Sequence, residues 1–127
     1  MMALVYVALG GALGSVARFG MTGLATRLLG SNFPYGTLAV NLLGGFLMGV
    51  LAALLARQPG GYESLRLFLA IGVLGGFTTF SAFSLDVMTL YLRGEVWMPL
   101  VYIMASVTLS VMALALGLYS ARLLEVS

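Results

Sequence analysis

Four predominantly apolar runs, each long enough to cross a bilayer, leave this chain almost no freedom of fold class. A spanning helix takes about 20 predominantly apolar residues. The runs fall at about residues 3–29, 34–56, 65–92 and 97–121, so the 127 residues leave room only for short connections and for no extramembrane domain. Charge agrees with length. Soluble domains devote roughly a quarter of their residues to charge, and this chain devotes 8%. So few solvated groups cannot cover a surface that faces water. A transmembrane β-barrel would alternate apolar with polar residues, whereas these runs are continuously apolar. The expectation is an all-α integral membrane protein: one domain over residues 1–127, made of four transmembrane helices.

The connections are marked by turn chemistry. Gly30-Ser31-Asn32-Phe33-Pro34 separates the first two spans, and Pro34 suits the first turn of the helix that follows. Arg57-Gln58-Pro59-Gly60-Gly61 ends the second span. Arg93-Gly94-Glu95 ends the third, and Trp97 is placed to anchor the fourth at the interface. Arg122 and Glu125 stand at the exit of the fourth. Met1 to Leu13 lacks the charged start and cleavage site of a signal peptide and reads as the beginning of the first span. The net charge of +2 is too small and scattered for nucleic-acid binding.

Loop arginines orient membrane proteins. Arg57, Arg66 and Arg122 fall on the side that four spans give to both termini, Arg27 and Arg93 on the other. Three against two is almost no bias. Either the chain inserts weakly in one direction, or it inserts in both and pairs antiparallel. Small residues one turn apart permit close helix contact. They occur at Gly10 and Gly14, Gly45 and Gly49, Gly72 and Gly76, and Ala113 and Gly117. They point to a homo-oligomer, since four short helices are not expected to stand alone.

Polar groups in hydrocarbon must pack against a partner or line a wet path. Arg18, deep in the first span, either snorkels to the interface or serves a site. Asn41 either bonds a neighbouring helix or offers its amide donors to an anion. In the third span, the string from Gly72 to Ser84 holds Gly75-Gly76 and then Thr78-Thr79, poor material for a continuous helix. It is expected either to kink for tight packing or to break mid-membrane, as in transport proteins with discontinuous helices. Phe77, Phe80 and Phe83 recur every three residues beside Ser81 and Ser84. Their rings are packing, or present electropositive edges to an anion. Tyr102, Ser106 and Ser110 stand four apart and form a hydroxyl line along one face of the fourth helix.

The acids separate the transport classes. No Asp or Glu precedes Glu63, and Asp86 is the only candidate for an acid inside a span. The alternative considered is a small-multidrug-type proton-coupled exporter of organic cations. That function requires a membrane carboxylate, and the first span carries Arg18 instead. Donors without carboxylates favour a small anion. With no His, no Cys and no nucleophile–base pair, the chain also has almost no material for enzymatic chemistry.

Gly10-Gly11-Ala12-Leu13-Gly14 with Arg18, then Tyr35-Gly36-Thr37-Leu38-Ala39-Val40-Asn41, then Gly75-Gly76-Phe77-Thr78-Thr79-Phe80-Ser81-Ala82-Phe83-Ser84 together resemble the Fluc (CrcB) fluoride channels. The resemblance implies an antiparallel, dual-topology homodimer with two pores in the inner cell membrane, passing fluoride ion passively out of the cell. It implies a fluoride pore formed by Asn41, Phe80, Phe83, Ser81, Tyr102, Ser106, Ser110 and Arg18. It also implies a structural Na+ at the dimer interface, held by the backbone carbonyls of Gly75 and Thr78 from each subunit. Ala82 stands where that family usually has Thr or Ser, and Asp86 where it often has Glu.

Overall fold

Apolarity on nearly every face, rather than along one stripe, makes helices that lipid can surround. Among the described residues, four are long and apolar enough to cross a membrane: Met2–Leu29, Tyr35–Leu55, Glu63–Leu92 and Trp97–Leu124. The computed structural model describes residues 1–57, 60 and 62–126, with side chains as far as Leu124. Gln58, Pro59 and Gly61 of the expected second turn, and the Glu125 side chain at the expected exit, lie outside the described residues, as does Ser127.

The first, second and fourth spans are single helices, and the fourth runs on to Val126. The first ends at Gly30, whose φ of +88° suits a residue without Cβ and whose N–H bonds the Thr26 carbonyl. Thr22 and Thr26 return their hydroxyls to the carbonyls of Arg18 and Thr22, which is how hydroxyls inside an apolar helix satisfy themselves.

The third span is built differently. Its first half-helix covers residues 63–77 and is wound as a π-helix over Leu67–Leu74. Such windings are rare and concentrate at functional sites. Thr78 is then extended, at φ −82° and ψ 156°, and the second half-helix runs from Ser81 to Leu92.

Two helix pairs make up the bundle. The first span packs on the first half-helix, and the second span packs on the fourth. Both pairs run parallel, because contacts advance along the two helices together. A Cβ at Gly10 would meet Phe68 and Gly72, and one at Gly14 would meet Val73 and Phe77. A Cβ at Gly45 would meet Ser110, and one at Gly49 would meet Leu114 and Leu118. The small residues read above as pointing to an oligomer are therefore used inside the chain. The physical reason is plain: spans paired this way touch backbone to backbone, and only glycine leaves the room.

A small apolar cluster closes the end of the bundle that carries the 30–34 and 93–96 turns. Phe83, Leu90 and Tyr102 are buried there, with Phe33, Leu38, Val87, Met98 and Ile103 against them.

Candidate functional site

Where the third span leaves helical geometry, its backbone groups lose the partners a continuous helix would supply. The first and second spans provide replacements. Arg18 Nε donates to the Gly76 carbonyl at 3.1 Å, setting a cation against the C-terminal end of the first half-helix. Asn41 bonds Thr79 in both directions: Nδ2 donates to its carbonyl at 3.0 Å and Oδ1 accepts its N–H at 2.8 Å. Thr79 Oγ1 accepts the Ala82 N–H at 3.1 Å and so satisfies a first-turn donor of the second half-helix. Thr78 turns back, its Oγ1 donating to the Leu74 carbonyl at 2.9 Å.

These bonds choose between the readings left open by the sequence. Arg18 is half-buried and bonded to the interrupted backbone rather than reaching for water. Asn41 does make a helix-to-helix bond, but its amide nitrogen carries two N–H donors. The Thr79 carbonyl engages one of them, which leaves the other for a second acceptor.

Beside this junction lies a groove of about 530 Å³ between the second span, the third span and the fourth. Asn41, Phe80, Phe83, Ser106 and Ser110 line it, with Gly75, Thr78 and Thr79 from the junction itself. No charged side chain is among its lining residues. The Phe80 ring stands 77% exposed. It tilts at 44° to the buried Phe83 ring, with centroids 5.5 Å apart. Ser106 Oγ is buried and has no hydrogen-bond partner among the described residues. An apolar groove holding an amide N–H, serine hydroxyls and aromatic rings can replace part of the hydration shell of a small anion.

Three of the expected site residues do not line the groove. Arg18 reaches the junction from the first span, Ser81 is exposed at the start of the second half-helix, and Tyr102 is wholly buried. The Tyr102 hydroxyl donates to Asp86 Oδ2 at 3.0 Å. A second cavity, of about 270 Å³, lies at the closed end of the bundle, with Thr37, Asp86 and Arg93 in its wall. Thr37, the bonding of Thr79 to Asn41 and the pairing of Asp86 with Tyr102 escaped the sequence reading. Thr37 had a signal, since it stands one helical turn before Asn41. The contact of Asp86 with Tyr102 had none, because they meet only when the third and fourth spans pack.

A bundle of four membrane-crossing helices, with an uncharged, donor-lined groove beside an interrupted third span, defines a small polytopic membrane protein built around that groove. Residues 5–118 match the family described as CrcB-like protein, Camphor Resistance (CrcB). The chain belongs to this family. It is 49% identical over 122 residues to "Fluoride-specific ion channel FluC" of Agrobacterium fabrum, covering 96% of this chain and 98% of that one. It is 56% identical over 116 residues to the protein of the same name from Paracoccus denitrificans, covering 91% of each. With that of Rhizobium johnstonii it shares 53% identity over 120 residues, 94% of this chain and 96% of the relative.

Proposed function

We propose that this chain is a fluoride-specific ion channel that lets fluoride leave the cell passively across the inner membrane. The carrying observation is the groove: an amide donor, two aromatic rings and the Ser106 and Ser110 hydroxyls around a space with no charged lining. Its donors give hydrogen bonds to an anion without exchanging a proton with it. A passive path suffices for the purpose. Neutral HF crosses membranes and ionises inside, so a leak for the anion relieves the accumulation. The spare N–H of Asn41 and the unpartnered Ser106 hydroxyl act as ligands, and the ring edges of Phe80 and Phe83 complete the shell.

The channel works as an antiparallel homodimer. Support comes from the nearly balanced loop arginines and from the exposed Phe80 ring, which a second copy would cover. A structural Na+ would be held between the two copies by the Gly75 and Thr78 carbonyls. Gly75 and Thr78 both line the groove at the C-terminal end of the first half-helix, where carbonyls lack onward helical partners, and sodium is a hard cation that takes oxygen ligands. One subunit supplies two such carbonyls, too few to replace a hydration shell, and two subunits supply four. When bound, the ion neutralises those dipoles and ties the subunits together. Replacing Na+ by N-methylglucamine throughout purification is expected to lower fluoride flux and shift the protein towards monomer on gel filtration. Unchanged flux and size would remove the ion from the assembly.

The proposed function is tested by halide efflux from liposomes containing the purified protein. Fluoride is expected to leave and chloride to stay; equal flux of both, or flux of neither, overturns the reading. Phe80→Ile is expected to slow fluoride by about tenfold or more, because it removes a ring edge from a desolvated anion. Phe80 is largely exposed within the chain, so its loss tests the path rather than the core of the bundle.

A further inference from the structure

One buried side chain touches the walls of both cavities. Asp86 and Thr37 are in the wall of the smaller one, and Phe83 and Ser106 are in the wall of the groove. Tyr102 lines neither and has no exposed surface. It touches both walls: its hydroxyl bonds Asp86 at 3.0 Å, and its ring lies 5.1 Å from the Phe83 ring, centroid to centroid. Phe33 meets the Tyr102 ring edge-on at 84° and holds it from the side of the smaller cavity. One helical turn along from Tyr102, the buried Ser106 hydroxyl stands free at the groove.

We propose that Asp86 is a positioning residue for permeation, latching Tyr102 as the partition between the two cavities. The inference rests on the channel reading above. It assigns Asp86 a role that its scarcity as an acid inside the spans leaves open. A hydroxyl has one proton to donate, and here it goes to a carboxylate, the stronger kind of acceptor. With that proton turned to Asp86, Tyr102 has none for an ion arriving at Ser106. Passage is easier when the Tyr102 O–H leaves Asp86 and turns to the anion, so the latch adds to the barrier. Arg93, in the wall of the same cavity, directs its guanidinium to the Ser31 and Asn32 carbonyls and leaves Asp86 to Tyr102.

Asp86→Asn keeps the shape and replaces the charged acceptor with a weaker neutral one. Fluoride efflux from liposomes is expected to rise about three- to tenfold. Asp86→Glu restores a charged acceptor and is expected to stay within about twofold of wild type. Removing a negative charge near an anion path could raise flux without any latch, and Tyr102→Phe separates the two causes. In a chain without the hydroxyl, adding Asp86→Asn is expected to change nothing further, and the effect in the wild-type background is expected to persist at high ionic strength. No effect of Asp86→Asn, an equal rise in both backgrounds, or a rise that salt abolishes would each overturn the latch. A wild-type protein that passes no fluoride would instead overturn the channel reading itself. Should Asp86→Asn not give the wild-type gel-filtration profile, Asp86→Ala serves the same cycle.

Discussion

Asn41→Asp is expected to abolish fluoride flux. The side chain keeps its size and its acceptor for the Thr79 N–H, but it loses the donor that bonds the Thr79 carbonyl at 3.0 Å. Two oxygens then face each other across the junction. The substitution also sets a full negative charge in the wall of a groove whose lining is otherwise uncharged. Two unit charges 4 Å apart repel by about 4 kcal/mol at an effective dielectric of 20. That alone slows an anion by nearly a thousandfold, since about 1.4 kcal/mol is a factor of ten in rate. Efflux from liposomes, followed with a fluoride electrode on protein of unchanged gel-filtration profile, is the measurement. A wild-type rate would take Asn41 out of the path.

Gly49→Val is expected to unfold the bundle rather than disable it. A Cβ at Gly49 would overlap the Leu114 carbonyl and lie 2.8 Å from the Leu118 nitrogen, both backbone atoms that cannot step aside. Gly117 faces the Phe46 carbonyl in the same way, so the second and fourth spans approach closely from both sides. Separating them costs at least about 3 kcal/mol, at the upper end of overpacking penalties, and a small bundle has little to spare. Recovery of monodisperse protein and its thermal midpoint are expected to fall sharply. Gly23→Ala is the control, because nothing in the chain lies within 4 Å of its added Cβ. Equal stability of the two variants would show that the close approach is not needed.

The four spans were legible because lipid asks one thing of every residue, and a run of apolar side chains answers it locally. Turn positions such as Gly30 were legible for a similar reason: a positive φ selects glycine wherever it occurs. The π-wound segment over Leu67–Leu74 was not legible. Its residues are ordinary apolar ones, and its winding goes with the close packing of Gly72 on Gly10 in another span. The candidate site divides along the same line. Asn41, Phe80, Phe83, Ser106 and Ser110 could be picked out as polar or aromatic groups that hydrocarbon would not tolerate idly. Their gathering round one groove could not, nor could the diversion of Tyr102 to Asp86.

The glycine pairs show how far local pattern can mislead. Small residues one turn apart announce a close helix contact, but they carry no address. The chain uses these contacts internally, the first span on the third and the second on the fourth.

The sequence by itself determined the solvent, the number of crossings, and an inventory rich in hydrogen-bond donors and poor in acids within the spans. Each of these is a sum over residues and needs no knowledge of neighbours. Only the tertiary structure decided which donors are free. Arg18 is committed to Gly76 and one Asn41 N–H to Thr79, across 58 and 38 residues of chain, while Ser106 keeps its hydroxyl unpartnered. Hydrogen bonding is directional and saturable, so a group's availability depends on what packing brings within about 3 Å of it.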